Sequence, residues 1–130
     1  MKKLVIALTA MIAVLAPVAA TAPASAAPAA SSAAASPRSQ AIAMAYNYIR
    51  TMPFSKGGLA DQLEYEGFSP AVANSAVNSI RVNWRVQAVK MAKRYLQTMP
   101  FSCEGLIDQL VYEQFSYANA SYGAYQTNAC

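Results

Sequence analysis

The chain has 130 residues, a formal net charge of +4 and only 12% charged residues, about half the fraction usual in a soluble domain. It contains no histidine, which excludes Ser-His-Asp and Cys-His catalysis and histidine-ligated metals. Two cysteines cannot build a four-cysteine zinc site and five glycines leave little for a phosphate-cradling loop, so composition argues against most enzymes, and no catalytic residue, cofactor or metal is expected.

Residues 1–26 have the three-part pattern of a secretory signal peptide. Lys2 and Lys3 supply the positive start, Leu4 to Leu15 an apolar run, and Ala24-Ser25-Ala26 a small-x-small cleavage site, which places the cut between Ala26 and Ala27. The run is interrupted by Pro17 and is shorter than the ~20 residues of a membrane span, so no stable span is expected after cleavage. Loss of Lys2 and Lys3 leaves eight cations against six acids, too small an excess for a nucleic-acid footprint. Residues 27–38 are Ala, Pro and Ser with one charge, Arg38. Nothing there can offset the entropy of ordering, and a flexible linker is expected.

The rest of the chain overlays itself after a shift of 47 residues: 41–77 and 88–124 share 20 identities in 37 ungapped positions. This is a duplication, with repeat 1 over 39–82 and repeat 2 over 83–130. Each unit reads as three short helices. The first is expected from about Gln40 to Thr51, with Ser39 as N-cap and Ile42, Ala45 and Ile49 as its apolar stripe. Pro53 ends it. Ser55 caps a second helix that turns Leu59 and Leu63 inward and stops at Gly67. Ser69-Pro70 starts a third, which buries Val72, Ala73, Ala76, Val77 and Ile80. Asn83 caps the fourth, with Trp84, Ala88, Ala92, Tyr95 and Leu96 inward. The fifth carries Leu106, Ile107, Leu110 and Val111. The sixth, capped by Ser116, is expected to face inward with Ala120, Tyr122, Gly123 and Tyr125. No strand pattern intervenes, so the fold class is all-α. Units of about 45 residues are too small for strong separate cores, and the two are expected to pack together with Trp84 near their junction.

Helix five runs away from Cys103 and helix six returns toward Cys130, which predicts a disulfide in an exported chain. A nucleophilic Cys103 is the rival reading, but no base accompanies it. Position 56, its repeat mate, is Lys, so the bond belongs to repeat 2 alone. Among polar residues kept in both units, the serines read as N-caps. Asp61, Gln62 and Glu66 read as a polar stripe beside Tyr65, a solvated or partner-binding face in preference to a catalytic carboxylate pair. Eight tyrosines suit recognition where exposed, since each offers a rigid ring with a polar tip.

The twice-used pattern Tyr-x-x-Thr-Met-Pro-Phe-Ser-x-x-Gly-Leu-x-Asp-Gln-Leu-x-Tyr-Glu-x-Phe-Ser, at Tyr48–Ser69 and Tyr95–Ser116, resembles the Ltp family of host cell surface-exposed lipoproteins, as does Trp84 followed by Ala88. The resemblance implies tandem helix-turn-helix units outside the cell membrane and superinfection exclusion: phage DNA injection is blocked by an acidic surface that engages the phage tape measure protein. Carried onto this chain, the candidate partner-binding residues are Asp61, Glu64, Glu66, Asp108 and Glu113, with Tyr65 and Tyr112. The chain departs from the family pattern in three ways. No lipidation cysteine follows the apolar run, Gln114 stands at the repeat position of Gly67, and Val111 at that of Glu64. The expected function is therefore an exported protein-binding module at the cell surface, possessed by a Gram-positive bacterium or its phage. The alternative is a module that binds a cell-wall component, using its tyrosines and repeated polar face.

Overall fold

The computed structural model describes residues 34–130. The expected signal peptide and its expected cleavage site at Ala26 and Ala27 lie outside the described residues, as does most of the expected linker. Six helices follow, α1 (Pro37–Thr51), α2 (Lys56–Tyr65), α3 (Pro70–Ser79), α4 (Trp84–Thr98), α5 (Cys103–Tyr112) and α6 (Tyr117–Tyr125), with no strand among the described residues. The family of local signals is obeyed closely. Ser55, Ser69, Ser102 and Ser116 each accept a hydrogen bond from the backbone N–H three residues on, and Asn83 accepts from Arg85 and Val86, satisfying first-turn donors that have no helical partner.

One start differs from expectation. α1 begins at Pro37, and its cap is Ser36, which accepts from Ser39 N–H. Pro37 and Arg38, read as the end of the linker, form its first turn. The dipeptide Ser36-Pro37 does here what Ser69-Pro70 does for α3, because proline's fixed φ suits the first helical position.

Each repeat buries its own cluster. In the first, Ala41, Ala45, Leu59, Leu63, Ala73 and Ala76 are fully buried; in the second, Ala88, Ala92, Leu106, Leu110, Ala120 and Ala124. The leucines come from the middle helix of each unit, and each contributes roughly 1.5–3 kcal/mol by leaving water. The alanines line the crossings of the first helix with the third, where small side chains let the axes approach closely. At Gly123 even a methyl does not fit: an added Cβ would lie 2.7 Å from the Ala88 carbonyl oxygen. This close approach corrects the expected inner face of α6. Ala120, Gly123 and Ala124 face inward, whereas Tyr122 and Tyr125 point to solvent. Val111 is likewise exposed on α5.

α2 and α5 end alike. Gly67 N–H donates to the Glu64 carbonyl and Phe68 N–H to that of Leu63; Gln114 and Phe115 repeat both bonds with Val111 and Leu110. This reversal requires a left-handed residue, and φ is +106° at Gly67 and +78° at Gln114. For a residue with a Cβ that conformation costs about 1–2 kcal/mol. The expected disulfide is present, joining Cys103 to Cys130 with Cα atoms 4.7 Å apart, so neither thiol is free for nucleophilic chemistry.

Candidate functional site

The two repeats are held to each other by polar bonds between their separate clusters. Ser55, only 1% exposed, accepts from Gly58 N–H and donates its hydroxyl to the Glu113 carbonyl. Phe54 N–H donates to the buried Gln87 side chain at 3.2 Å. Gln114 Nε2 donates to Asp61 Oδ2 at 2.6 Å. The Gln114 side chain also lies against Gly57, leaving no room for a Cβ there. This explains what the strained backbone at Gln114 provides: a side chain that glycine lacks, reaching across to the other repeat. Trp84 completes the junction, opening α4 yet packing on the first cluster.

Above these bonds lies a groove of about 580 Å³, walled by Met52, Phe54, Asp61 and Tyr65 of one repeat and Met91, Arg94 and Tyr95 of the other. Two copies of one network border it in part, the first through Gln62 and the second through Tyr95 and Glu113. Tyr48 donates its hydroxyl to Glu66, while Gln62 Nε2 donates to Tyr48 Oη and Glu66 Oε1, both at 3.2 Å. Tyr95, Gln109 and Glu113 repeat it, with Gln109 Nε2 at 3.1 Å and 3.4 Å. Each tyrosine ring also meets a phenylalanine edge-on, Tyr48 with Phe54 and Tyr95 with Phe101. The phenols are pushed above their ordinary pKa of 10.0, at Tyr48 chiefly by the bond to Glu66 and at Tyr95 chiefly by burial, then by the bond to Glu113. In both cases the neutral phenol is the better donor to a carboxylate.

The sequence-derived candidates therefore separate into two groups. Glu66 and Glu113 are occupied in fastening the first helix of each unit to the second. Asp61 is turned toward Gln114 and so is not in one stripe with Gln62 and Glu66. Glu64 and Asp108 are exposed on α2 and α5. Tyr65 and Tyr112, which occupy equivalent repeat positions, are 85% and 80% exposed, more than any other large apolar or aromatic side chain among the described residues. Gln87 and Gln114 were missed by sequence reasoning. Only Gln114 left a signal, as the non-glycine at a glycine position.

Among the described residues no three metal-ligating side chains cluster, and no helix is long and apolar enough to cross a membrane. The family model described as host cell surface-exposed lipoprotein matches residues 38–80 and again 83–124. The chain belongs to this family. The two matched segments coincide with the two helical units, so the family's sequence unit is the three-helix repeat itself. A solved structure of Ltp, a superinfection exclusion protein from the Streptococcus thermophilus temperate phage TP-J34, is similar at 27% identity. The match covers 72% of this chain and 98% of that one, with a TM-score of 0.67. No curated protein matches the chain. Surface exposure follows from the family, and this family member presents the repeated Tyr65 and Tyr112 on its solvent side.

Proposed function

We propose that the chain is an exported protein-binding module that sits at the cell surface and hinders entry of phage DNA by engaging a tail component of the phage, the tape measure protein being the expected target. The observation that carries this reading is the similarity over nearly the whole of a superinfection exclusion protein. The geometry agrees with a binding role. Tyr65 and Tyr112 stand out from two equivalent helices, each with an exposed acid nearby on the same helix, the adjacent Glu64 in the first and Asp108, about one turn back, in the second. Two equivalent contact points on one chain favour a partner that can meet both, because the second contact forms at high effective concentration. Binding is proposed in preference to catalysis because the repeated carboxylates Glu66 and Glu113 are engaged in structural bonds.

The test is direct binding of the whole chain, immobilised, to purified tail proteins of an infecting phage and, separately, to purified cell wall. Retention of a tail component that weakens on substitution of Tyr65 and Tyr112 supports the proposal. Firm retention on cell wall with none on tail proteins replaces it with the envelope-binding alternative.

A further inference from the structure

Charge is segregated by helix in this chain. All six carboxylates lie on α2, α5 and the residues that close them. α4 carries Arg85, Lys90, Lys93 and Arg94 and no acid. Arg85 has a structural task, its guanidinium 4.7 Å from the centre of the Tyr122 ring. Its repeat counterpart Arg38 does the same by donating to Ser75 and Ser79. Lys90 and Lys93 have no such task, and Arg94, at the wall of the groove, makes no bond there either. All three are exposed, they share one helix face by their spacing of three and four residues, and among the described residues none has a hydrogen bond or ion pair.

The fold does not require this ridge. The equivalent residues of the first repeat are Ala43, Tyr46 and Asn47, and α1 forms a helix of the same 15 residues. Compensation of the helix dipole does not account for it either, since that effect is confined to the last turn and the last turn of α4 holds no basic residue. Three unpaired like charges on adjacent turns repel one another and weaken the helix. An anionic partner would reverse that sign.

We propose that Lys90, Lys93 and Arg94 form a docking site for a water-soluble, phosphate-bearing polyanion of the cell envelope, a polyol-phosphate chain. The proposal goes beyond the phage role and takes from the family only exposure at the cell surface, where such an anion would be met. A lipid surface suits the ridge less well. Interfacial helices set large apolar side chains beside their cations, whereas the exposed face here adds only Val86, Gln97 and Thr98. Duplex nucleic acid suits it less well too, because the footprint of a nucleic-acid-binding domain is a strongly basic patch or stripe and the ridge holds only these three cations.

The full chain is titrated with poly(glycerol phosphate), with phosphatidylglycerol vesicles, duplex DNA and a neutral glucan as separate arms. Saturable binding to the polymer is expected. With three cations engaged, affinity should fall roughly fifteen- to twentyfold between about 50 and 200 mM salt. Substituting Lys90→Gln, Lys93→Gln and Arg94→Gln together should abolish that binding with an unchanged melting curve. Arg50→Gln, Lys56→Gln and Arg81→Gln together, which remove the same charge elsewhere, should leave it within about twofold. Lys93→Gln alone should lower the salt slope by about 0.7. Equal losses in the two triple variants would overturn the ridge as the site. Tighter binding to vesicles or DNA would overturn the choice of partner, and no binding at low salt would overturn the proposal outright.

Discussion

Replacing Cys103 and Cys130 by alanine removes a covalent bond that spans 27 residues of chain. In the chain-entropy model, freeing a loop of that length costs about 3.5 kcal/mol. The bond lies wholly within the second repeat, whose buried cluster is distinct from that of the first. The loss should therefore fall on that repeat. If the second repeat, about 48 residues, unfolds by itself, the midpoint of its transition drops by roughly 35 °C; if both repeats melt together, the drop is roughly 17 °C, because the unfolding entropy scales with residues released. The structure favours the first outcome, since the repeats are joined by a few polar bonds and the Trp84 contact, while their buried clusters are distinct. Thermal melts followed by far-ultraviolet circular dichroism should show two transitions in the double variant. Fluorescence of the single tryptophan, Trp84, which packs on the first cluster, should follow the later one. One coincident transition displaced by less than about 5 °C would refute both the magnitude and the independence of the two clusters.

Three further outcomes follow from the same contacts. Gly123→Ala would press a methyl onto the Ala88 backbone and should cost about 1–3 kcal/mol, read as a lower melting temperature. Stability should be insensitive to Tyr48 and Tyr95 below pH 10, their ordinary pKa. It should fall as the pH rises through their higher folded values, since folding favours the neutral phenols; spectrophotometric titration should show two late tyrosines, absent in Tyr48→Phe/Tyr95→Phe. Tyr65→Ala/Tyr112→Ala should change stability by no more than about 0.5 kcal/mol per site, measured by denaturant unfolding, while weakening partner binding.

What could be read without coordinates was whatever the chain states locally. Ser55, Ser69, Asn83, Ser102 and Ser116 announce helix starts because a capping side chain acts within three residues. Gly67 announces a stop because only a left-handed residue fits. Cys103 and Cys130 pair because two antiparallel helices bring their ends together. Errors arose where a nonlocal contact decides. Tyr122 and Tyr125 have the spacing of an inward face, but Gly123 brings α6 so near Ala88 that aromatic rings have no space on that side. The start of α1 is the local exception: Ser36, not Ser39, is its cap, and Pro37 at the first helical position is the signal for it. The Tyr-Glu-Gln networks were half visible: all three residue types recur at the same shift, yet only the fold shows Tyr48 meeting Glu66 and Tyr95 meeting Glu113. The bonds between repeats were hidden for a different reason. Gln114 and Asp61 are not repeat-equivalent partners, and a duplication reveals contacts within its unit better than contacts between units.

The most direct test of the account is phage DNA entry measured after synchronised adsorption, in matched host cells with and without this gene, across a panel of phages. The account predicts, for at least one phage, unchanged adsorption and a block of DNA entry, relieved when Tyr65 and Tyr112 are both replaced by alanine. Adsorption lost in step with entry, or entry unchanged for every phage, would contradict it.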